Sequence, residues 1–338
     1  MNKIIFVLML GIVATGLHAQ DYTLFRGDNK KVGLKDQNQK IIVQAKYDYV
    51  SPRFSEGYTY VKSGGKMGFV NKEGKEITLL KYDNVSDFLN GFASVNIGAR
   101  QDSAADISVS GKWGFINTAG IEITPLKYDN VTDFANGFAG VNIGAKWDDD
   151  EEELAGGKWG VINTMGKELT PLKYDNISDF FVHGFAVVYV GKKRGLINAA
   201  GKELTSIRYD HIEPKGTDKK IAVVNIGGKY DEDFGNLAYN PYVGGKQGFI
   251  NCKTGEEIVP VQYAVVADFS EGLAPVNLGA VYTADNGYIG GKWGYVDANG
   301  KTIIPLAYDE AGYFHNGKAT VKQNGRTFSI DKTGKEIK

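Results

Sequence analysis

The 338 residues contain one cysteine, Cys252, and four histidines, which leaves little for nucleophilic or imidazole chemistry. A lone cysteine excludes any disulfide within the chain, so the fold must be held together without cross-links. Charge of one sign is missing too. The 39 Lys+Arg against 40 Asp+Glu speak against a nucleic-acid partner. There is no His-Glu-x-x-His, no pair of cysteine ligands, no Gly-x-Ser-x-Gly and no phosphate loop. No catalytic residue, metal or cofactor is therefore assigned. His183, His211 and His315 fall in three different linking segments and read as surface or joint residues. A triad would need distant parts of the chain to converge.

Near the N-terminus, Lys3 precedes an apolar run from Ile4 to Leu10 that continues loosely to Leu17, and the small residue Ala19 follows. This predicts a secretory signal over residues 1–19, cleaved to leave a repeat domain over 20–338. A membrane anchor needs about 20 apolar residues, and Gly11, Gly16 and His18 fit export better. No cysteine follows Ala19, which argues against a lipid anchor. The expected product is secreted or periplasmic, with no stable membrane insertion. It carries 38 Lys+Arg and 40 Asp+Glu, a net charge of −2.

What the chain has in abundance is one phrase: Lys-x-Gly, an apolar pair, a turn, Gly-Lys-Glu, Tyr-Asp, then Phe-x-x-Gly-Phe-Ala-x-Val-Asn. Copies begin at Lys66, Lys112, Lys158, Lys193, Lys246 and Lys292, after a first one around Gly33. Such self-similarity predicts an array of one unit. In the copy from Phe92 to Pro125, alternation predicts strands over 92–97, 113–117 and 121–124. Asn117-Thr118-Ala119-Gly120 reads as a type I turn closed by a left-handed glycine. The same turn recurs at 71–74, 163–166, 198–201, 297–300 and 331–334. The fold class is thus all-β: a tandem array of about eight three-stranded antiparallel meanders, an open solenoid or superhelix, with a closed eight-bladed propeller-like ring as the alternative.

Phe92, Trp113 and Phe115 project to one face of such a meander; Ala93, Val95, Ile97 and Ile116 project to the other. With both faces apolar, each unit should be sandwiched between neighbours, rings against small aliphatics. Trp113, Trp159 and Trp293 are expected to fill these joints. Tyr, Val and Phe of the linking segments should plug them. Gly114 and its equivalents should admit a close backbone or ring. The recurring pairs Asp83/Asp87, Asp129/Asp133 and Asp175/Asp179 resemble catalytic carboxylates, but recurrence points to turn hydrogen bonds. Cys252, where other copies carry Lys, Thr or Ala, reads as a surface substitution.

Lys-Trp-Gly-Phe-Ile-Asn at 112–117, Lys-Trp-Gly-Val-Ile-Asn at 158–163 and Lys-Trp-Gly-Tyr-Val-Asp at 292–297 are followed by Gly-Lys-Glu and Pro-Leu-Lys-Tyr-Asp phrases. On these residues the chain resembles the WG-repeat family, also called the KWG repeat, over essentially its whole mature length. The resemblance implies bacterial, often exported β-strand repeats with no common activity and no catalytic residues to carry over. Val32, Met67, Arg194 and Gln247 stand where the family has Trp, and Thr327-Phe328 where it has Trp-Gly.

Function should lie where copies differ. The hairpin joining the first two strands is short at 61–66, 190–193 and 321–326. It carries an insertion at 99–111, 145–157, 228–245 and 280–291. All four arms should leave the same edge of the array. They hold twelve acids and three bases, a net charge of −9, together with many rings. The candidate partner-binding residues are Trp147, Asp148, Asp149, Asp150, Tyr230, Asp231, Asp233, Tyr239, Tyr242, Tyr282, Asp285 and Tyr288. A calcium loop over 231–236 is considered, but Tyr242 stands where the bidentate Glu belongs, so no metal is assigned. The reading is an exported, non-enzymatic scaffold binding a protein or a glycan in the envelope or outside the cell. Its alternative is a passive structural protein without a specific ligand.

Overall fold

The structure is a computed structural model that describes residues 22–102, 107–108, 110–148, 153–178, 181–231 and 242–337. The signal expected over 1–19 lies outside the described residues. Two compact units are present, one ending at Leu126 and the other starting at Lys127. Every regular element among the described residues is a β-strand. Among the described residues, eight antiparallel sheets of three or four strands follow one another along the chain, with two additional two-stranded ribbons.

One register runs through all the meanders. Phe92–Ile97 pairs with Lys112–Asn117 so that Ala93 faces Ile116 and Val95 faces Gly114. Ala139/Ile162 and Val141/Gly160 repeat this in the second unit. The apolar alternation dictates the faces, and the joints confirm them. Ala93, Val95 and Ile116 of one meander pack against Phe69, Tyr58, Tyr60 and Met67 of the meander before it, with Tyr82, Val85 and Phe88 of the linking segment between them. In the second unit Ala186, Val188 and Ile197 meet Val161, Phe138 and Trp159, plugged by Tyr174, Ile177 and Phe181. Rings of one copy do lie on aliphatics of the next.

The third strand is a correction. Residues 121–124 form no strand, only the single bridge Ile116↔Glu122. The meander is completed at its other edge by a short strand from the linking segment, Asn84–Val85, paired with Asn96 and Val95. A threonine explains the difference. The Thr124 hydroxyl accepts the Phe115 N–H at 2.9 Å, taking a donor that a ladder would need. Thr78, Thr170 and Thr205 do the same for Phe69, Val161 and Leu196. Where the chain carries Val43, Val259 or Ile304 instead, Ile41–Tyr47, Glu257–Tyr263 and Thr302–Tyr308 form full, bulged strands. The middle-strand glycine faces this crossing: a Cβ on Gly114 would lie 2.9 Å from the Thr124 hydroxyl and 3.0 Å from the Pro125 carbonyl.

A second correction concerns the joints. Trp113, Trp159 and Trp293 are half-buried. The fully buried large rings are instead Tyr47, Tyr82, Tyr128, Tyr174, Tyr209 and Tyr295 with Phe69, Phe88, Phe115, Phe134, Phe249 and Phe314. Most of these tyrosines belong to the Tyr-Asp phrase, and each needs an acceptor for its hydroxyl. For Tyr47, Tyr82, Tyr128 and Tyr174 the next copy supplies it. Tyr47 donates to Glu76 at 2.6 Å, Tyr82 to Glu122 and Tyr128 to Glu168 at 2.9 Å, and Tyr174 to Glu203 at 3.2 Å. The lysine preceding each tyrosine pairs with the same carboxylate while lying over the ring: Lys46, Lys81, Lys127 and Lys173. Lys-Tyr of one copy thereby clamps Gly-Lys-Glu of the next.

The aspartate after each tyrosine acts within its own copy. Asp83 accepts from Lys66 of Lys-x-Gly at 2.5 Å and from the Gly98 N–H at 2.7 Å. Asp48 and Asp210 hold Lys31 with Gly64 and Lys193 with Gly227. Asp129 with Gly144 and Asp175 with Gly191 do the same, so the first aspartate of each recurring pair takes the turn role that recurrence implied, while Asp179 lies outside the described residues. The glycine closing each turn is fixed by its neighbour: Gly120 has φ +74, and a Cβ there would lie 2.0 Å from the Ile77 carbonyl.

Cys252 is the third correction. It is fully buried, with Phe185, Leu196, Tyr209, Ala222 and Ile250 around it. The turn from Asn251 to Gly255 is one residue longer than its counterparts, with Gly255 N–H bonded to the Asn251 carbonyl across four residues and not three. This turns the side chain inward, and burial pushes its thiol up to about 12.

Two predictions follow from the joints. Tyr174→Ala should cost about 3–5 kcal/mol, as for a large buried ring, whereas half-buried Trp159→Ala should cost about 1–2 kcal/mol; urea unfolding of both variants compares them, and equal costs would contradict the tyrosine-centred joint. Lys127 and then Tyr128, by hydrogen bonding, hold the Glu168 carboxyl below its usual range, against burial. A depressed carboxylate stabilises the fold above its unfolded pKa and loses that contribution as pH falls through the folded value. The stability gap between wild type and Glu168→Gln should therefore be open at pH 7 and close as pH falls below the ordinary Glu value of about 4.3. A gap independent of pH would remove the charge from the clamp.

Candidate partner-binding site

The arms begin where the Val-Asn phrase ends, and the asparagine builds their base. Asn96, Asn142, Asn225 and Asn277 are buried to 0–1% exposure. Asn142 donates from Nδ2 to the Gly156 carbonyl at 3.2 Å and accepts the Ala145 N–H on Oδ1 at 3.2 Å. Asn225 bridges Gly244 and Gly228 in the same way, and Asn277 bridges Gly290 and Ala280. The ladder skips one pair at this point, from Ile143↔Lys158 to Ala145↔Gly156. Gly144 and Gly157 sit in the gap with φ +93 and +70, and a Cβ on Gly157 would lie 2.1 Å from Asn142 Oδ1. Copies with short hairpins carry Lys62, Tyr189 and Lys322 at the asparagine position. The asparagine thus marks an arm, a signal present in the sequence and not read from it.

Beyond the base, the arms are β-ribbons. Arm two runs in the 11-residue strands Phe138–Asp148 and Glu153–Asn163, pairing Trp147 with Leu154 and Asp148 with Glu153. Arm four runs in Leu273–Thr283 and Gly287–Asp297, pairing Val281 with Ile289 and Tyr282 with Tyr288. Arm three pairs Lys229 with Val243 and Tyr230 with Tyr242. Arm one pairs Gln101 with Ser108 and Asp102 with Ile107.

Five of the candidate residues come together in the second unit. Tyr282 of arm four donates to Asp231 of arm three at 2.8 Å, and the Gly244 N–H donates to the Tyr288 hydroxyl at 2.8 Å. Burial pushes the Tyr288 pKa up, against the pull of that N–H. Tyr230 meets Tyr242 edge-on at 5.6 Å, as Tyr282 meets Tyr288 at 5.3 Å. Between the two arms lies a cleft of about 480 Å³ lined by Lys229, Tyr230, Asp231, Val281, Tyr282 and Tyr288, with glycines 227, 244 and 245 at its base. Trp147 and Asp148 lie on arm two instead, and Asp285 is exposed at the turn of arm four. Asp149, Asp150, Asp233 and Tyr239 lie outside the described residues, as does most of the 231–236 loop.

Arm three is braced from below by a residue that departs from the repeat. Arg194, in the place of Trp, lies over the rings of Tyr189 and Tyr242 and donates to the Tyr242 hydroxyl at 2.8 Å. It also contacts His211 Nδ1 at 2.9 Å, and His211 stacks on Tyr242 with ring centres 4.5 Å apart. Burial, reinforced by Arg194, lowers the His211 pKa against the pull of Glu213. His211 is a joint residue, as expected, here given the further task of seating a tyrosine of the arm. Lys229 and Val281 were not among the sequence candidates, because neither is acidic or aromatic.

A family model described as WG containing repeat matches residues 33–66, 67–99, 113–147, 159–193, 195–230, 248–282 and 293–326. No curated protein matches the chain. Among solved structures it is similar to one described as "Crystal structure of the eukaryotic initiation factor", with 12% identity and a TM-score of 0.32 over 94% of this chain and 95% of that one. It is also similar to Hsv2 of Kluyveromyces lactis, with 8% identity and a TM-score of 0.27 over 82% of this chain and 91% of that one.

If the asparagine organises the arm, Asn142→Ala should leave two backbone groups at its base unsatisfied, at about 1–3 kcal/mol. Hydrogen exchange should then quicken at residues 145–148 and 153–156 while the ladder over 138–143 keeps its protection. Equal loss of protection in both stretches would show that Asn142 supports the whole meander.

Proposed function

The chain belongs to the family of proteins built from WG-containing repeats, and from that premise we propose that it is an exported, non-enzymatic scaffold whose arms bind a protein or glycan partner in the envelope or outside the cell. The observation that carries this reading is the tyrosine-lined cleft between arms three and four, held by Tyr282 to Asp231 and by Gly244 to Tyr288. The joints use the faces of the meanders, so the arms are free to vary without disturbing them. Acid and ring together on an arm favour recognition over a solubilising flap.

The test is to shorten all four arms to the length of Val190-Gly191-Lys192-Lys193, replacing the four base asparagines by lysine as at Lys62. The trimmed chain should keep a cooperative β-fold, since the short-hairpin copies fold without arms. It should also lose the partner that the full chain retains from envelope extract or on a glycan array. Equal retention by both chains would put binding outside the arms, retention by neither would favour a passive structural protein, and loss of folding would make the arms structural.

A further inference from the structure

We propose that the cleft between arms three and four is a saccharide subsite that takes a neutral pyranose residue of a glycan chain; this rests on the arm-recognition reading above. The charges lining it select the ligand class. Asp231, whose carboxylate accepts from Tyr282, and Lys229, with its ammonium, both line it. A cationic ligand meets the lysine and an anionic one meets the aspartate, whereas a sugar hydroxyl donates to one and accepts from the other. The apolar surface suits the same ligand. Tyr230 leaves 58% of its surface free, and Val281 leaves 62%. Together they offer a ring and an aliphatic floor to the C–H face of a pyranose.

The site is also built before any ligand arrives. Tyr282 is fixed by Asp231 and Tyr288 by Gly244 N–H, while Arg194 and His211 hold Tyr242 behind Tyr230. A wall already ordered lowers the cost of binding. Glycines 227, 244 and 245 put no side chain into the base, which leaves room there for a sugar ring. At about 480 Å³ the cleft belongs to the size class of small-molecule sites, roughly 300–1,000 Å³.

Calorimetric titration of the full mature chain with cellohexaose, xylohexaose, laminarihexaose and chitotetraose tests this, with hexaarginine and a galacturonate hexamer as charged controls. At least one neutral oligosaccharide should bind. Tyr230→Ala should weaken it about tenfold and Tyr230→Phe by less than about twofold, because stacking uses the ring and not the hydroxyl. Lys229→Ala should weaken it severalfold with no change in melting temperature. Preference for either charged control, or indifference of sugar binding to Tyr230→Ala, would overturn the assignment. If the arms retain a protein in the trimming experiment while none of these saccharides binds, arm recognition stands and the saccharide subsite falls.

Discussion

The structure depends on a tyrosine that must be buried and still find an acceptor. The rings of Tyr47, Tyr82, Tyr128 and Tyr174, each from a Tyr-Asp phrase, are buried where an unpaired hydroxyl would cost about 1–3 kcal/mol. Glu76, Glu122, Glu168 and Glu203 accept it from the following copy. A carboxylate brought to the edge of an apolar joint needs a cation in turn, and the lysine before the tyrosine provides it without leaving the ring face. Lys-Tyr and Gly-Lys-Glu recur together because they are two halves of one contact. Neither half has a partner inside its own copy, which is why the unit is stable only when stacked.

Much of this architecture was legible. Period-two alternation gave the hairpin ladders, Asn-x-x-Gly gave the turns, and two apolar faces required stacking, because those signals are local and each has one physical solution. The errors arose where a local signal had two solutions. Ile121-Glu122-Ile123-Thr124 alternates like a strand, but the Thr124 hydroxyl competes for the Phe115 N–H that the ladder would use. Tryptophan is the larger ring, yet Trp159 is only half-buried against the joint that Tyr174 fills. Trp113 stands opposite Asn96 on the strand, whereas Tyr82 enters from the linking segment and reaches the space between sheets. Cys252 was misplaced because its turn is one residue longer than the others, and a single added residue turns a side chain from outside to inside.

The candidate site was legible only as composition. Rings and acids in the arms were evident, but which of them meet depends on pairs such as Tyr282 with Asp231, 51 residues apart, and Arg194 with Tyr242, 48 apart. No periodicity encodes such contacts. Arg194 did carry a mark, since it breaks the Lys-Trp-Gly phrase. That departure is explained by the arm above it: an indole could not donate to both the Tyr242 hydroxyl and His211 Nδ1, and the guanidinium does.

Departures from the repeat therefore divide into two kinds with different consequences. Val43, Val259 and Ile304 in place of threonine change how a meander closes, and their effect ends inside the sheet. Asn142, Asn225 and Asn277 in place of lysine or tyrosine release a hairpin from the sheet and set a bulge that satisfies its own backbone. Because the asparagine closes the hydrogen bonding at the base, the scaffold holds an arm beyond it only where a side chain reaches up, as Arg194 and His211 reach Tyr242. Arm two extends with Trp147 and Asp148, arm four with Tyr282 and Tyr288, and the ladders beneath them keep the same register. Separating a fixed joint from a free arm at one buried amide lets a repeated scaffold carry arms that are not repeated.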